Sequence, residues 1–323
     1  MTKTKTVIIL MAVLLLCSLF IIASTDLFIP RENNEVYDIS VIVNDSKADS
    51  WSNFRSGLDQ AAKEKNANIS FITLYDKNNL DQQIVLLERE IAGGADAILI
   101  SAADSEGLSH ALEDMVIDIP IIAIGSGVKA KQIRSYISAN NFEMGEKLAK
   151  EIVANANQEE KVLIIKNSMS CSDIFERYEG LLSVLNESTN NYEVLDLNNI
   201  VDSQAIGDKL SYVLSNTSST IVVSLDEIIQ EQSLDVVERL KIQNEVKLYG
   251  IGHTNRIVYN IEMDIIDGIV IQNMFNVGYL GIQEAIDAIL KKEVEDTIEI
   301  EMGVINKDNM YSIENQRLLF PVP

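Results

Sequence analysis

The chain has 323 residues, a hydrophobic fraction of 47% and a net charge of −23 from 26 Lys+Arg against 49 Asp+Glu. That length allows two core-forming domains, and a surface so acidic repels phosphate backbones, which argues against nucleic acid as a partner. With two histidines and two cysteines, neither a histidine-based metal site nor a disulfide framework is expected.

In chain order, Lys3 and Lys5 precede a charge-free apolar run over 7–25. Its core is longer than the ~7–15 residues of a usual signal peptide and close to the ~17–25 that span a bilayer. Residues 1–6 are therefore expected in the cytoplasm, 7–25 as a single-pass membrane anchor and 26–37 as a linker, with the rest extracytoplasmic. The alternative is a signal segment that is cleaved, giving a secreted protein.

The first globular stretch reads as a strand over 39–43, a polar loop over 44–50, and a helix opened by Trp51 with Phe54, Leu58 and Ala62 on one face. A strand follows over 69–74. Leu80, Ile84, Leu87 and Ile91 then repeat at helical spacing until Gly93 and Gly94. The runs 97–100 and 121–124 are short and wholly apolar, as in parallel strands buried on both faces. Between them lies a helix carrying Leu108, Leu112 and Met115.

The rhythm restarts with a helix over 142–153, a strand over 162–165 and a polar loop over 167–173. A helix lined by Ile174, Leu181, Leu182 and Leu185 leads on to strands over 192–197, 221–224 and 246–251. Helices over 206–214 and 226–241 separate these strands. A strand over 268–272, a helix over 276–290 and a short strand over 298–300 close the pattern. Strands and helices in strict alternation predict an α/β fold of two Rossmann-like lobes with parallel sheets. Ligands in such sheets bind outside the carboxyl ends of the strands, where the loop before Trp51 would lie.

Seven segments in order carry a resemblance. They are Phe54-Arg55-Ser56-Gly57, Gly93-Gly94-Ala95-Asp96-Ala97-Ile98, Ile119-Pro120-Ile121-Ile122-Ala123-Ile124 and Tyr136-Ile137-Ser138-Ala139-Asn140-Asn141. Glu176-Arg177-Tyr178-Glu179-Gly180, Ser224-Leu225-Asp226-Glu227 and Gln272-Asn273-Met274-Phe275-Asn276-Val277-Gly278-Tyr279 follow. Over roughly 39–305 the chain resembles the type I periplasmic binding proteins of the ribose and galactose sugar-binding class.

The resemblance implies a first lobe of 38–139 plus 273–304 and a second of 140–272 plus 305–323. Three crossovers near Asn140, Gln272 and Ile305 would form a hinge that closes on a small polar ligand, carbohydrate-like or other. It also implies a membrane partner: an ABC importer permease or a sensor histidine kinase. By the same resemblance Trp51 is the aromatic platform, with Ser50 where a second aromatic is common. Ser126 lies beside Gly125, the position of a family carboxylate, and Phe175 stands where an arginine reaches the ligand. Asp226 and Gln272 match family ligand positions, and His253 lies next to Gly252, the position of a second carboxylate. With those carboxylates absent, much of the charge-assisted grip on sugar hydroxyls is expected to be lost.

Each of these residues also has a plainer reading. Asp226 suits the N-cap of the helix it opens. His253 could sit solvated in its loop, Gln272 could tie the hinge backbone, and Arg177 could serve a structural ion pair. Cys171 reads as an inert thiol, since no activating base is evident. No Walker A, G-x-S-x-G or H-E-x-x-H stretch occurs. No enzyme activity, catalytic residue, metal or cofactor is therefore expected. A ligand-responsive transcription regulator shares these lobes but would need a DNA-binding segment where the apolar run stands. A degenerate domain that binds nothing is the remaining alternative.

Overall fold

The structure, a computed structural model, describes residues 7, 11, 13, 15, 16 and 35–321, except 47–50, 158, 199, 201 and 219. Most of the apolar run 7–25 and Ser50 therefore lie outside the described residues. Among the described residues, no helix is long and apolar enough to cross a membrane. The chain divides into two compact units, Met1–Val36 and Tyr37–Pro323; the second holds both sheets.

The second unit opens with β1 (Tyr37–Ile42), α1 (Ser52–Lys65), β2 (Ala67–Ile72), α2 (Leu80–Ala92), β3 (Ala97–Ile100) and α3 (Ser105–Asp114). β4 (Ile121–Ile124) and β5 (Ile133–Ser138) complete this stretch. The next run comprises α4 (Asn141–Asn155), β6 (Val162–Lys166), α5 (Ser172–Leu185), β7 (Tyr192–Asp196), α6 (Ser203–Leu214) and β8 (Ile221–Ser224). It continues through α7 (Glu227–Leu240), β9 (Lys247–Ile251), α8 (Asn255–Glu262) and β10 (Gly268–Gln272). The chain ends in α9 (Met274–Ile289), β11 (Thr297–Glu299), β12 (Met302–Ile305) and α10 (Ile313–Leu319).

Two six-stranded sheets result, in the orders β11-β5-β4-β3-β1-β2 and β12-β10-β9-β8-β6-β7. All pairings are parallel except β10 with β12. The period-two alternation of strands splits each lobe's core between the two faces of its sheet. In the first lobe Ile39, Val41 and Leu99 face α1 and α9, while Ile42, Ile98 and Ile100 face α2 and α3. Every residue of β3, β4 and β8 is buried, as continuous apolar runs require.

Several elements escape the sequence pattern. β12, α8 and α10 were not expected, and β2 lies two residues earlier than its alternation implied. β11 pairs with β5 and β12 with β10, so the chain passes from one sheet to the other between Glu299 and Met302. The three crossovers are bonded to one another. Ala139 N donates to Gln272 Oε1 at 2.9 Å, Ile300 N to Ser138 O at 3.0 Å and Asn273 N to Glu301 O at 3.0 Å. Gln272 thus ties the first crossing to the second.

The same close helix contact occurs in both lobes. On α1 and α9, Gly57 and Gly278 each lie where an added Cβ would meet backbone of the opposite helix, at Phe275 and Phe54. On α4 and α5, Gly145 and Gly180 stand in the same relation to Arg177 and Phe142. Backbone cannot move aside as a side chain can, so a methyl here forces the helices apart. Gly180→Ala should lower stability by about 3 kcal/mol in urea unfolding. Gly207→Ala, on α6 with nothing within 4 Å of its would-be Cβ, should be neutral or stabilising by up to about 1 kcal/mol. Equal effects would refute the helix-contact assignment.

Candidate ligand-binding site

The carboxyl ends of both sheets face one another, and loops from each lobe meet there. On the first lobe Gln83 braces the loop after β3: its amide donates to Ser101 O at 2.8 Å and accepts from Ala103 N at 2.9 Å. On the second lobe the loop after β6 reaches across. Ser105 N donates to Ser170 O at 2.9 Å, and Ser172 N donates to Ser105 Oγ at 3.0 Å and Ser126 Oγ at 3.2 Å. Gly127 N returns a bond to Ser172 Oγ at 2.8 Å. Cys171 is enclosed in this contact, 3.3 Å from Ala103 O, and burial pushes its thiol up to about 12. The lobes are therefore closed on one another.

Behind this contact lies a cavity of about 140 Å³. A cavity of that size holds a single ring, judged by the ~150 Å³ that accommodates benzene. The first lobe lends Asn44, Asp45, Trp51, Lys77 and Ser101, and the second lends Asp173, Arg177, Asp226, Glu227 and His253. Gln272 and Met274 line it at the second crossover. Trp51 stands edge-on to Phe54, with ring centroids 5.3 Å apart, where the loop after β1 enters α1.

Of the residues expected from the sequence, Trp51, Asp226, His253 and Gln272 come together in this cavity. Ser126 does not line it. Its side chain is fully buried, and its hydroxyl serves the contact between lobes. Phe175 does not line it either. It is half-exposed and borders a separate groove with Tyr136. Helical geometry explains the exchange, because positions 173, 174 and 177 of α5 share the cavity face and position 175 points about 100° away per residue step from its neighbours. Arg177 therefore stands where Phe175 was expected. It is 5% exposed and fixed by bonds to Asn141 Oδ1 (2.9 Å) and Leu225 O (3.2 Å), with Asp173 at 3.4 Å. The ion pair and the cavity position coexist.

Positions 125 and 252 carry no carboxylate, as the sequence shows, but other acidic residues line the cavity. Asp45, Asp173, Asp226 and Glu227 supply four carboxyl groups. At Gly252 an added Cβ would run into Glu227, so Glu227 fills the space a carboxylate there would need. Asp226 does two things: Oδ1 caps α7 by accepting from Ile229 N at 2.7 Å, and Oδ2 meets Lys77 Nζ of the first lobe at 3.0 Å. Burial opposes the Asp226 charge, but Lys77 and the Ile229 N–H outweigh it and hold the carboxyl below its ordinary value. Burial likewise pulls the Lys77 ammonium down, and Asp226 and Asp45 outweigh that and hold it above.

Glu227 and His253 lack such compensation. Burial pushes the Glu227 carboxyl up to about 8; the His253 backbone N–H opposes the shift, and the charges of Glu231, Asp45 and Asp226 add to it. His253 is not the solvated loop histidine its position suggested. Its side chain is 11% exposed, with Nδ1 3.5 Å from Glu227 Oε2, and burial lowers its imidazole to about 4. Trp51 Nε1, Asp173 Oδ1 and Glu227 Oε1 are buried and find no partner among the described residues. Each such group costs the closed form ~1–3 kcal/mol until something bonds it. Among the described residues no group of three or more His, Cys, Asp and Glu side chains is placed to hold a metal ion.

A family model for the periplasmic binding protein domain matches residues 39–293. The chain belongs to this family. This binding protein is 22% identical over 184 residues to the ribose import binding protein RbsB of Bacillus subtilis strain 168, covering 54% of this chain and 60% of that one. The match thus spans less than two thirds of that relative's length. It is 22% identical over 230 residues to the ABC transporter periplasmic-binding protein YphF of Escherichia coli K12, covering 66% and 68%.

Among solved structures, a carbohydrate transporter solute-binding protein of Agrobacterium radiobacter in complex with D-arabinose superposes with a TM-score of 0.81 at 22% identity, over 88% of this chain and 98% of that one. One from Agrobacterium vitis bound with α-D-tagatopyranose gives 0.79 at 22% identity, over 88% and 100%. The fold of the binding protein is that of the type I class.

Two expectations follow from the charges. Lys77→Met leaves Asp226 buried without its cation, which should disfavour the closed form by about 3 kcal/mol. Small-angle scattering should then report a larger radius of gyration, and an unchanged one would deny the pair its role in closure. The second expectation concerns pH. A raised acid supports the closed form while protonated, so the Glu227 contribution is complete below 4.5 and is lost as pH rises to about 8. A lowered imidazole supports it while neutral, so the His253 contribution is complete above 6.5 and is lost as pH falls to about 4. The slopes cancel between about 4.5 and 6.5, and above 6.5 Glu227 acts alone. Unfolding free energy should fall by about 1.4 kcal/mol per pH unit from 6.5 to 8. In Glu227→Gln that component should vanish, and identical slopes in the two proteins would exclude Glu227 as its source.

Proposed function

We propose that this chain is an extracytoplasmic solute-binding protein that encloses a small polyhydroxylated ligand between its lobes and presents the closed form to a membrane partner. The observation that carries the reading is one cavity, lined from both lobes, that combines the Trp51 indole with three buried polar atoms that find no partner among the described residues. An indole face suits the C–H side of a sugar ring, and the unpaired carboxylate oxygens suit its hydroxyls. Trp51, Asp226, His253 and Gln272 are the contacts proposed from the sequence, joined by Asp173, Arg177 and Glu227. Relatives that carry ribose import in their name, or hold D-arabinose and D-tagatopyranose, support the same ligand class.

A ligand that touches both lobes favours closure by its differential affinity for the closed state. The partner would be an ABC importer permease or a sensor histidine kinase, each able to read the closed surface. The apolar run 7–25 would tether the protein beside that partner, or would be cleaved and release it. The lobes are assigned as 38–139 with α9 and β11, and 140–272 with β12 and α10.

Thermal unfolding of the full chain with D-ribose, D-arabinose, D-xylose, D-glucose, D-galactose and myo-inositol tests the reading. A compound at about 100-fold its dissociation constant should stabilise the fold by about 2.7 kcal/mol. Trp51→Ala should weaken that binding at least tenfold, which is about 1.4 kcal/mol. Absence of any shift across the series would remove the sugar-binding reading, and undiminished affinity in the variant would remove Trp51 from the site.

A further inference from the structure

Beside the ligand cavity lies a second chamber of about 390 Å³. Lys77 and Ile228 belong to the walls of both, so the two spaces are neighbours parted by the Lys77 side chain and its bond to Asp226. The chamber is also built from both lobes. Asn78 comes from the loop after β2, Asn167 and Ser170 from the loop after β6, Asn198 from the loop after β7, and Gln232 from α7.

Its chemistry differs from that of the inner cavity. The polar part of the wall is amide and hydroxyl, and Lys77 is the single charged residue among the described ones that line it. Ile200, Ile206, Ile228 and Met169 provide the apolar part. Some polar groups are already engaged: Asn198 Oδ1 accepts from Met169 N at 3.0 Å, and Gln232 Nε2 donates to Ser203 Oγ at 2.6 Å. Others are not. Asn78 Oδ1 and Gln232 Oε1 are buried acceptors that find no partner among the described residues.

Among the described residues of this wall, an anionic group would meet one cation already held by Asp226, and a cation would meet no carboxylate. Neutral acceptors that lack donors, set among aliphatic side chains, match a ring with hydroxyls on its edge and C–H bonds on its faces. We infer that the bound molecule extends past Lys77 into this chamber, so that the cleft takes a two-ring hydroxylated ligand, a disaccharide or glycoside, with its second ring against Asn78 and Gln232. This rests on the sugar-binding reading above and adds the ligand's size and the residues that select it.

Titration calorimetry of the full chain with matched pairs tests it: D-glucose against maltose and cellobiose, D-galactose against lactose, and D-xylose against xylobiose. At least one disaccharide should bind tenfold or more tightly than its own monosaccharide. Gln232→Ala and Asn78→Ala should each erase most of that preference while leaving the monosaccharide within twofold of the parent. Ser203→Ala, at the exposed start of α6, removes the partner of the Gln232 amide and serves if Gln232→Ala fails to fold. A monosaccharide that binds as tightly as every disaccharide containing it, or variants that weaken both members of a pair equally, overturns the inference and leaves the sugar-binding reading intact. No binding by any of these probes overturns both.

Discussion

The Lys77–Asp226 ion pair, 3.0 Å across the cleft, is the interaction on which the closed arrangement turns. Among the described residues it is the charged bond between lobes that also meet through Cys171 and through serine hydroxyls and backbone around Ser105, Ser126 and Ser172. Both partners are mostly shielded from water, so each charge depends on the other. Asp226 is also the N-cap of α7 and cannot retreat without uncapping that helix. Lys77 sits in a loop and can. Ligand entry therefore has an available displacement on the first lobe and a fixed acceptor on the second.

These bonds hold the lobes together but leave other groups of the cavity poorly matched. Glu227 is protonated near neutrality, His253 is neutral, and Asp173 Oδ1 and Glu227 Oε1 find no partner among the described residues. Ligand donors would relieve what the protein cannot satisfy alone. On the sugar-binding reading, the free energy for ligand-driven closure would come from satisfying those groups. The three crossing segments are bonded to one another through Gln272, Asn273 and Ile300.

Much of the fold was legible because doubly buried parallel strands leave an unbroken apolar signature. The runs Ala97–Ile100 and Ile121–Ile124 could be read without knowing their neighbours. β12 and α10 were not legible: β12 is only four residues long and antiparallel at an edge, and α10 spans seven residues. The cavity was half legible. Trp51 and Asp226 follow from their place at the carboxyl ends of strands. Lys77 lies in a polar loop whose direction is set only by the opposite lobe, so no local pattern marks it. Phe175 and Arg177 were exchanged because correspondence along the chain ignores which face of α5 turns inward. For His253 the solvated reading fails, because the histidine is buried in the cavity wall beside Glu227.

The glycine-mediated contact of α1 with α9 carries a consequence for how the chain reaches this state. Strands β1 to β5 are complete by Ser138, yet the face they present through Val41, Leu99 and Ile122 is covered by residues from Val277 onward. Throughout synthesis of the intervening segment, that face has only α1, through Phe54, Leu58 and Ala61, packed against it. Local contacts cannot finish the first lobe, and its docking must await a helix delivered by the second. The first lobe's core is thus expected to stay incompletely packed until α9 has been made, after every strand from β6 to β10.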